Sequence, residues 1–521
     1  MGTNPAAVSS SLASPASPAS PASSASPASA VGGARRVRVL IIGTGFSGLC
    51  AAIKLKESGE TDFLMLERAT AIGGTWRDNT YPGCACDVPA HLYSYSFELN
   101  PAWSHTFAPG PEIWAYLERC TDKYDLRRHV VFKQTVQAFR FDAQSSTWHV
   151  QTQEGSQYEA QFVIVGIGGL SNARRPDIDG AASFAGPQFH TAGWDHSVSL
   201  AGKRVAVIGT GASAIQVVPA IAPQVQRLLL FQRTPPWVLP RMERRYSDTR
   251  RWLFSHYPAT MRLLRRTFYR MQEGVTPWLT QFRDHPGGQR FLARMARFNI
   301  DRSIKDPALR ERVMPRYSPG CKRLLLSNDY YPALARDNVT LVTDAISRIV
   351  PGGVVTQTGE EHAADVLIYA TGFAVSEYLQ GLHVTGPGGR DLSVEWQSKP
   401  EAYLGTLTSG FPNLFFLTGP NTGLGTNSVV VMIEAQVGLI VDCLRLLAAR
   451  GAKSIDVRAD VQRRYNDDLQ DRLSRTVWNS GGCRSWYLDD KGFNYTLWPG
   501  TTGEFRARTR SANPDDFQLG G

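Results

Sequence analysis

A glycine motif between an apolar strand pattern and a helical pattern constrains the fold of this chain more than any other feature, and it occurs twice. In its first copy, Gly43, Gly45 and Gly48 follow the run RVRVLII. Glycines at this G-x-G-x-x-G spacing make a tight turn, let a pyrophosphate approach the backbone, and let the helix pack closely on the strand. The next strand pattern, FLMLE, ends on Glu67. These features predict a dinucleotide-binding unit near the start of the chain.

The second copy lies in the run KRVAVIGTGASAIQVVPAI. Gly209 and Gly211 fill the first two glycine positions, and Ala214 stands in the third. The strand pattern RLLLF follows, and Arg233 comes shortly after it. The same pattern of strand, glycine turn, helix and second strand therefore predicts a second dinucleotide-binding unit. The alternative is that one of the two sites is degenerate and empty.

The residue at or shortly after the end of the second strand distinguishes the two units. Glu67 lies 24 residues after Gly43, and Arg233 lies 24 residues after Gly209. A carboxylate at this offset accepts hydrogen bonds from ribose hydroxyls, whereas an arginine pairs with a 2′-phosphate. We therefore expect FAD in the first unit and NADPH in the second.

The order of the patterns indicates an α/β fold with two Rossmann-like dinucleotide-binding domains, for FAD and NADP, and a helical insertion. The segments FVIVGIGGLS and DVLIYATGF read as strands that return beside a bound cofactor, and the FAD domain is therefore expected to be discontinuous. The expected divisions are a disordered Ala/Ser/Pro-rich tail (1–34), the N-terminal segment of the FAD domain (35–175), the NADP domain (176–373) with a helical insertion (about 240–312), the C-terminal segment of the FAD domain (374–510), and a C-terminal tail (511–521).

Charge and length limit the classes of function. The chain has 521 residues, 42% of them hydrophobic, and a formal net charge of +10. Much of the basic excess lies between Arg233 and Arg312, where apolar residues recur at helical spacing between the arginines. This pattern favours a solvated face of packed helices over a nucleic-acid surface. We expect no nucleic-acid partner.

Cysteine usage and apolar runs indicate the compartment. Seven cysteines are scattered along the chain, so a disulfide framework is not expected and a reducing, cytoplasmic compartment is favoured. Cys84 and Cys86 do not have zinc-ligand spacing, and no metal site is predicted. The longest apolar run, residues 429–449, is interrupted by polar residues. It indicates a buried helix rather than stable membrane insertion.

A fingerprint precedes the second glycine motif. The stretch FAGPQFHTAGWD places Phe184, Gly186, His190, Trp194 and Asp195 at the spacing F-x-G-x-x-x-H-x-x-x-W-[PD]. In a chain with two dinucleotide units, this stretch resembles the fingerprint of the type I Baeyer–Villiger monooxygenases. On spacing alone a capped core histidine would be favoured for His190. The resemblance implies instead that His190 and Trp194 organise a hinge near the NADP site.

A second signature supports the same resemblance. The stretch GGTWRDNTYPGCACD matches the family pattern [AG]-G-x-W-x(4)-[FY]-P-G-x(3)-D. The matching residues are Gly73, Gly74, Trp76, Tyr81, Pro82, Gly83 and Asp87. The resemblance covers roughly residues 36–505.

The resemblance implies a reaction. Members of this family use FAD, NADPH and O2 to insert one oxygen atom next to a ketone carbonyl, which gives an ester or a lactone through a C4a-peroxyflavin and a Criegee intermediate. The family's active-site arginine matches Arg323, and Asp87 is expected to hold its guanidinium by a charge-assisted hydrogen bond. A permanently charged guanidinium suits the stabilisation of a peroxide anion and of the developing oxyanion.

The motifs and the resemblance together name the expected cofactor contacts. For FAD they are Gly43, Gly45, Phe46, Ser47, Gly48, Glu67, Gly74, Thr75, Trp76, Asp87, Tyr93 and Val136. For NADP they are Gly209, Thr210, Gly211, Ala212, Ser213, Arg233, Thr234, Lys322 and the mobile C-terminal tryptophan of the family, which matches Trp486.

Other functions remain open from the sequence. The main alternative is a flavin-containing monooxygenase that oxygenates nitrogen or sulfur, and another is a non-catalytic flavoprotein that responds to NADPH. The run KGFNYTLWPGT after Trp486 differs from the cyclohexanone-type enzymes. The ketone, the regiochemistry and the oligomeric state are therefore left undetermined.

Overall fold

The structure is a computed structural model that describes residues 33–281, 283–375, 377–379, 381–489 and 491–521. The expected N-terminal tail lies outside the described residues except for its last two positions. None of the helices in the described ranges combines the length and the apolar character needed to cross a bilayer.

Twenty strands are present in the described ranges. In chain order they are β1 (Arg35–Ile42), β2 (Phe63–Glu67), β3 (Val130–Phe132), β4 (Val136–Asp142), β5 (Thr147–Thr152), β6 (Gln157–Val165), β7 (Gln188–His190), β8 (Arg204–Ile208), β9 (Arg227–Phe231), β10 (Val238–Leu239), β11 (Leu325–Leu326), β12 (Val339–Val342), β13 (Ile346–Val350), β14 (Gly353–Thr356), β15 (Glu361–Ala363), β16 (Val366–Tyr369), β17 (His383–Thr385), β18 (Leu414–Phe416), β19 (Ser454–Val457) and β20 (Phe517–Gly520).

Fourteen α-helices accompany them in the same ranges. They are α1 (Phe46–Glu57), α2 (Thr75–Asp78), α3 (Gly110–Lys123), α4 (Ala214–Ile221), α5 (Asp248–His256), α6 (Pro258–Thr280), α7 (Pro286–Ser303), α8 (Pro307–Val313), α9 (Tyr330–Leu334), α10 (Leu392–Ser398), α11 (Val429–Arg450), α12 (Ala459–Ser474), α13 (Val477–Ser480) and α14 (Thr502–Arg508).

The larger sheet has the strand order β17-β4-β5-β6-β1-β2-β3, with β18 beside β6. Its central strands are parallel: Val39 of β1 lies opposite Phe63 of β2 on one side and Phe162 of β6 on the other. The second half of β1 is fully buried, because both faces of a parallel sheet are covered. This burial explains the uninterrupted apolar run before the first glycine turn.

The smaller parallel sheet has the order β12-β9-β8-β16-β7. Ala206 of β8 lies between Leu229 of β9 and Leu367 of β16. Helix α4 packs on this sheet through residues such as Val217 and Ile221, which are fully buried. The second glycine turn therefore connects β8 to α4, just as the first connects β1 to α1.

The two sheets draw their strands from different regions of the chain. All strands of the larger sheet lie within 35–165 and 383–416, and all strands of the smaller sheet lie within 188–369. The strands of the larger sheet thus come from two separate stretches of the chain, which is compatible with a discontinuous FAD domain. The domain boundaries themselves stay a prediction. The C-terminal residues differ from the expected tail, since β20 pairs with β19 in an antiparallel ladder.

Helices α5 to α8 occupy residues 248–313, where the helical insertion was expected. Helix α11 spans residues 429–450, and residues such as Met432 and Ile440 on it are buried to about 1% exposure or less. The apolar run after residue 428 is therefore a buried helix. Tyr330 and Tyr331 are also core residues.

One disulfide bond departs from the expected cysteine chemistry. Cys321 and Cys483 are bonded, with their Cα atoms 6.1 Å apart. Their 162-residue separation gave no sequence signal for pairing. The remaining cysteines are free and buried: Cys50, Cys84, Cys86, Cys120 and Cys443.

Candidate active site

The first glycine turn fits the chain so closely that side chains are excluded at two positions. Gly43 has a φ of +95°, and a Cβ added to it would lie 2.7 Å from the carbonyl oxygen of Gly166. A Cβ on Gly48 would lie 1.9 Å from the carbonyl oxygen of Gly43. The glycines therefore serve the roles predicted for the tight turn and for helix–strand packing.

Glu67 lies at the end of β2 with its carboxylate buried beside this turn. Its Oε2 accepts hydrogen bonds from the Thr44 hydroxyl (2.5 Å) and backbone N–H (3.2 Å). Its Oε1 accepts from the Ala69 N–H (2.9 Å) and from Arg77 Nη1 (2.9 Å). These donors hold the carboxylate in place at the wall of the cavity described below.

The second turn also needs glycine, and it opens toward the same space. Gly209 has a φ of +112°, and an added Cβ would lie 2.5 Å from the carbonyl oxygen of Ala370. A Cβ on Gly211 would meet no heavy atom within 4 Å. The backbone at Gly211 is therefore free to approach a ligand closely.

A cavity of about 1550 Å³ joins the two turns. Its volume exceeds the usual range of about 300–1,000 Å³ for a single small-molecule pocket, so it has room for two extended ligands. Most of the expected cofactor residues line it: Gly43, Gly45, Phe46, Ser47, Glu67, Gly74, Thr75, Trp76, Asp87, Tyr93, Val136, Gly209, Thr210, Gly211, Ala212, Ser213, Arg233, Thr234, Lys322 and Trp486. Gly48 does not line it, since its role is to pack α1 against the turn.

Arg323 and Asp87 form a bidentate ion pair in the wall of this cavity. Arg323 Nε donates to Asp87 Oδ2 at 2.8 Å, and Nη2 donates to Oδ1 at 2.9 Å. Arg323 Nη1 donates to the carbonyl oxygen of Leu424 at 3.3 Å. Three contacts therefore fix the plane of the guanidinium, and the two residues expected to act together are brought together.

The charge of Arg323 is secured by its partner. The negative charge of Asp87 raises the pKa of Arg323 above its usual value, and this effect outweighs the burial that opposes it. The nearby Tyr487 phenol contributes in the same direction. The guanidinium is therefore a fixed cation at the cavity wall and cannot act as a proton donor in the working range.

A second group of cations lies near the second glycine turn. Burial lowers the pKa of Lys322 from its usual value, and the positive charge of Arg233 lowers it further. Both residues line the cavity together with Thr234, whose carbonyl oxygen accepts from the Thr210 hydroxyl at 3.0 Å. Two positive charges within electrostatic reach of each other favour the binding of an anion, such as a phosphate.

Aromatic side chains of the first unit also line the cavity. Trp76 Nε1 donates to the Tyr93 hydroxyl at 3.2 Å, and their rings lie 5.5 Å apart in an edge-to-face arrangement. Phe46 packs edge-to-face on Tyr93 with centroids 5.1 Å apart. This packing gives the first unit a rigid apolar wall that suits a planar ring system.

The fingerprint residues Phe184, Gly186, His190 and Trp194 do not line the cavity. They lie on and around β7, the edge strand of the smaller sheet, where His190 pairs with Tyr369 of β16. The N–H of Ala192 donates to His190 Nδ1 at 3.0 Å, and burial lowers the pKa of the ring. His190 is therefore held neutral as the cap of a short turn.

The fingerprint still contacts residues that line the cavity. The His190 ring lies edge-to-face against Phe373, with centroids 5.8 Å apart, and Phe373 lines the cavity. Trp194 packs on Phe189 at 5.1 Å. A Cβ on Gly186 would lie 2.2 Å from the carbonyl oxygen of Asp365, so glycine is needed where the stretch passes the residue before β16.

Sequence reasoning missed two residues that connect these regions. Gln216, on α4, accepts from the Tyr81 hydroxyl at 2.8 Å and donates to the Ala85 carbonyl oxygen at 2.9 Å. Tyr487 is buried and lines the cavity near Arg323. Nothing in the sequence marks a glutamine in a helix as functional. Tyr487 could have been found, because it directly follows Trp486, which was expected near NADP.

Comparison with known proteins decides among the families. The flavin-binding monooxygenase-like family matches residues 36–379. A Baeyer–Villiger monooxygenase from Pseudomonas aeruginosa is 48% identical over 93% of this chain and 92% of that protein. The chain belongs to the flavin-binding monooxygenase-like family, in its type I Baeyer–Villiger branch.

Solved structures of this family share the fold. Cyclohexanone monooxygenase from Rhodococcus sp. Phi1, bound to NADP+, superimposes with a TM-score of 0.84 at 28% identity, and the match covers 94% of this chain and 100% of that one. OTEMO in complex with FAD and NADP gives a TM-score of 0.83 at 28% identity with the same two coverages. The pair of Rossmann-like units is the architecture expected from the two glycine motifs.

The residues present fit both cofactors of this flavoprotein family. In the first unit, the glycine turn excludes side chains, and the buried Glu67 carboxylate at the cavity wall is the kind of acceptor that ribose hydroxyls take. In the second, the backbone at Gly211 is open and two cationic side chains, Lys322 and Arg233, line the cavity, which fits a phosphorylated dinucleotide. When bound, FAD and NADPH supply the electron transfer and the activation of O2.

Proposed function

We propose that this chain converts a ketone into an ester or a lactone with NADPH and O2, using FAD as its resident cofactor. The observation that carries the proposal is the bidentate Arg323–Asp87 pair, which lies in one continuous cavity with both glycine turns. A fixed cation at this place is suited to a reaction in which negative charge develops on oxygen atoms next to both cofactors.

The proposed role of Arg323 is electrostatic. Its charge stabilises an oxygen anion before attack and the oxyanion that forms when the ketone carbonyl becomes tetrahedral. It does so without giving up a proton, because Asp87 raises its pKa. A group that protonated the attacking oxygen would instead favour attack by soft nucleophiles such as amines and sulfides.

Asp87 is proposed to orient this charge. Both of its carboxylate oxygens accept from Arg323, and the remaining guanidinium nitrogen is held by the Leu424 carbonyl oxygen. Rotation of the guanidinium would break at least two of these contacts. Preorganisation of this kind avoids reorientation of the charge at the moment of reaction.

Lys322, Arg233 and Thr234 are proposed to select NADPH over NADH. Burial lowers the pKa of Lys322, and the positive charge of Arg233 adds to this effect, so a bound 2′-phosphate would stabilise the charged form of Lys322. Trp486 is proposed to lie near the nicotinamide, since it lines the cavity while about 47% of its surface is exposed.

The fingerprint residues are proposed to serve positioning rather than chemistry. The contact between His190 and Phe373 couples the edge strand β7 to the cavity wall. A shift of β7 along β16 would therefore move Phe373 relative to a bound nicotinamide. The proposed hinge would act on the cofactor site through this contact.

The substrate is proposed to be a small-molecule ketone, with O2 as co-substrate and no nucleic-acid partner, and a cytoplasmic location stays a prediction. Purified enzyme with FAD and NADPH would be incubated under 18O2 with linear, aryl, cyclic and polycyclic ketones. We expect an ester or a lactone that carries a single heavy oxygen atom. Oxidation of amine or sulfide probes with no ester from any ketone would assign the chain to the alternative reaction.

A further inference from the structure

The disulfide bond joins the two segments that meet at the proposed reaction centre. Cys321 lies two residues before Arg323, and Cys483 lies four residues before Tyr487. Both Arg323 and Tyr487 line the cavity. The covalent bond therefore links two segments, distant in sequence, that each contribute one of these side chains to the same cavity.

Close packing brings the backbones of these segments together at the bond. The N–H of Ser318 donates to the Gly481 carbonyl oxygen at 3.0 Å. A Cβ on Gly481 would lie 2.9 Å from the Cβ of Cys321 and 2.4 Å from the Val477 carbonyl oxygen. Glycine at 481 is therefore required for the approach that places the two sulfur atoms together.

The segment after the bond has little regular structure of its own. Residues 483–486 form no helix or strand, and Arg484 and Trp486 are exposed. Tyr487 is 3% exposed and packs on Trp486 with ring centroids 4.4 Å apart. Burial raises the pKa of Tyr487 to about 12, and the positive charge of Arg323 acts in the opposite direction, so the phenol lies within electrostatic reach of the guanidinium.

We propose that Cys321 and Cys483 are an oxidative modification site whose disulfide bond holds segment 483–487 against the Lys322–Arg323 segment and thereby keeps Tyr487 and Trp486 at the cavity wall. In this role the two cysteines are positioning residues. The portion of the inference that concerns turnover rests on the proposed function, whereas the modification itself does not.

The chemistry balances with a peroxide as oxidant. The two thiols lose two protons and two electrons, one S–S bond forms, and the O–O bond of hydrogen peroxide breaks to give two water molecules. Thiol–disulfide exchange with a cellular dithiol reverses the step. In a reducing compartment such a bond is formed only under oxidising conditions, which makes it a control point rather than a permanent brace.

Opening the bond removes a covalent constraint on a loop. Reduction leaves the Ser318–Gly481 hydrogen bond and local packing to hold segment 483–487, so the segment samples open states more often. We expect cleavage by trypsin after the exposed Arg484 to become at least about fivefold faster on reduction, because proteolysis follows the population of open states.

The first test uses the flavin-loaded wild-type protein and requires no ketone. Aliquots treated with hydrogen peroxide or with a dithiol would be alkylated, digested and analysed by mass spectrometry. We expect a peptide cross-linked between Cys321 and Cys483 after peroxide and two alkylated thiols after the dithiol. Full alkylation of both cysteines in the peroxide-treated protein would overturn the proposal.

The second test uses Cys321→Ser and Cys483→Ser, with Cys443→Ala as the control at a buried free cysteine. Both serine variants should show the fast tryptic cleavage of the reduced wild type and no response to the dithiol. The control should respond as the wild type does. FAD content and thermal unfolding establish that each variant is folded. Peroxide and dithiol treatment of the wild type compares the bonded and the open cysteines without any substitution.

The third readout is the amount of hydrogen peroxide released per NADPH oxidised. We expect reduced wild type and the serine variants to release about threefold more hydrogen peroxide per NADPH than the oxidised wild type, because a displaced loop lets water into the cavity. Equal release would reject the link to turnover. If no ketone is oxidised but the cross-link and the protease response appear, the proposed function fails while the modification site stands.

Discussion

The Tyr81 hydroxyl donates a 2.8 Å hydrogen bond to the side-chain oxygen of Gln216, and this contact joins the turn-rich signature of the first unit to helix α4 of the second. The Gln216 amide also donates to the Ala85 carbonyl oxygen at 2.9 Å. A Cβ on Gly83 would lie 2.8 Å from the Gln216 carbonyl oxygen. The signature therefore sets the approach of the two units as well as the position of Asp87.

Replacing Gln216 by leucine should destabilise this junction. The Tyr81 hydroxyl and the Ala85 carbonyl would lose their partner, which costs about 1–3 kcal/mol in the free energy of unfolding. We expect a lower midpoint in thermal unfolding and slower reduction of the bound flavin by NADPH. Gln224→Leu, at an exposed position of the same region, should change neither quantity. Unchanged flavin reduction in Gln216→Leu would show that the contact does not set the geometry between the cofactors.

Replacing Arg323 by lysine should abolish most ester formation while NADPH oxidation continues. Lysine cannot keep both hydrogen bonds to Asp87 or the fixed direction of the charge, so we expect ester formation to fall by at least about 100-fold. Product analysis and hydrogen peroxide release would be measured together. Arg390→Lys is the matched control, since Arg390 forms a similar bidentate pair with Glu395 (3.0 and 2.8 Å) at an exposed position outside the cavity. A comparable loss in both variants would argue against a specific role for Arg323.

Replacing Lys322 by alanine should weaken the binding of NADPH and leave the binding of NADH unaffected. Loss of a charge-assisted contact predicts a KM for NADPH about 10- to 100-fold higher in Lys322→Ala. In the wild type, the KM should rise as the pH approaches the lowered pKa of Lys322, at a pH below its ordinary value of 10.5. Arg233→Ala removes the like charge and should move this rise to higher pH. Equal changes for NADH and NADPH would place the 2′-phosphate elsewhere.

Stability should decrease on mild acidification because of one buried histidine. Burial lowers the pKa of His91 to about 4, with Arg250 and Arg265 contributing in the same direction. Between pH 6.5 and about 4 the unfolded chain binds a proton at this site and the folded chain does not, so the free energy of unfolding falls as the pH is lowered. The full difference corresponds to roughly 3 kcal/mol.

Chemical denaturation of the wild type and of His91→Phe at several pH values would measure this effect. Phenylalanine cannot take up a proton, so the pH dependence should become shallower by that amount. His383→Phe, at an exposed position, is the control and should retain the wild-type dependence. Parallel curves for the wild type and His91→Phe would assign the acid sensitivity to other groups.

Local features of the fold could be predicted because they depend on a few consecutive residues. The turns at Gly43 and Gly209 require positive φ and a close backbone approach. Only glycine meets both requirements easily, so its presence can be recognised in the sequence without knowledge of the rest of the fold. The change from Glu67 to Arg233 at the same offset indicated the two cofactors for the same reason. The buried helix after residue 428 followed from the length and interruptions of its apolar run.

The site itself was only partly predictable. The resemblance to the Baeyer–Villiger family placed Arg323 and Asp87 in one site, but nothing in their 236-residue separation indicated a bidentate pair. The cysteines illustrate the limit most clearly. An odd number of scattered thiols favoured no disulfide framework, and the bond between Cys321 and Cys483 depends on how two distant segments fold against each other.

The sequence by itself therefore determined the two dinucleotide units, their different phosphate chemistry and the family to which the fingerprint belongs. Only the tertiary structure decided that His190 and Trp194 stand outside the cavity, that Gln216 joins the units, and that Cys483 meets Cys321. The reason is physical. Backbone conformation and hydrophobic period are properties of short stretches, whereas hydrogen bonds, ion pairs and disulfides between distant residues exist only after the sheets and helices have packed.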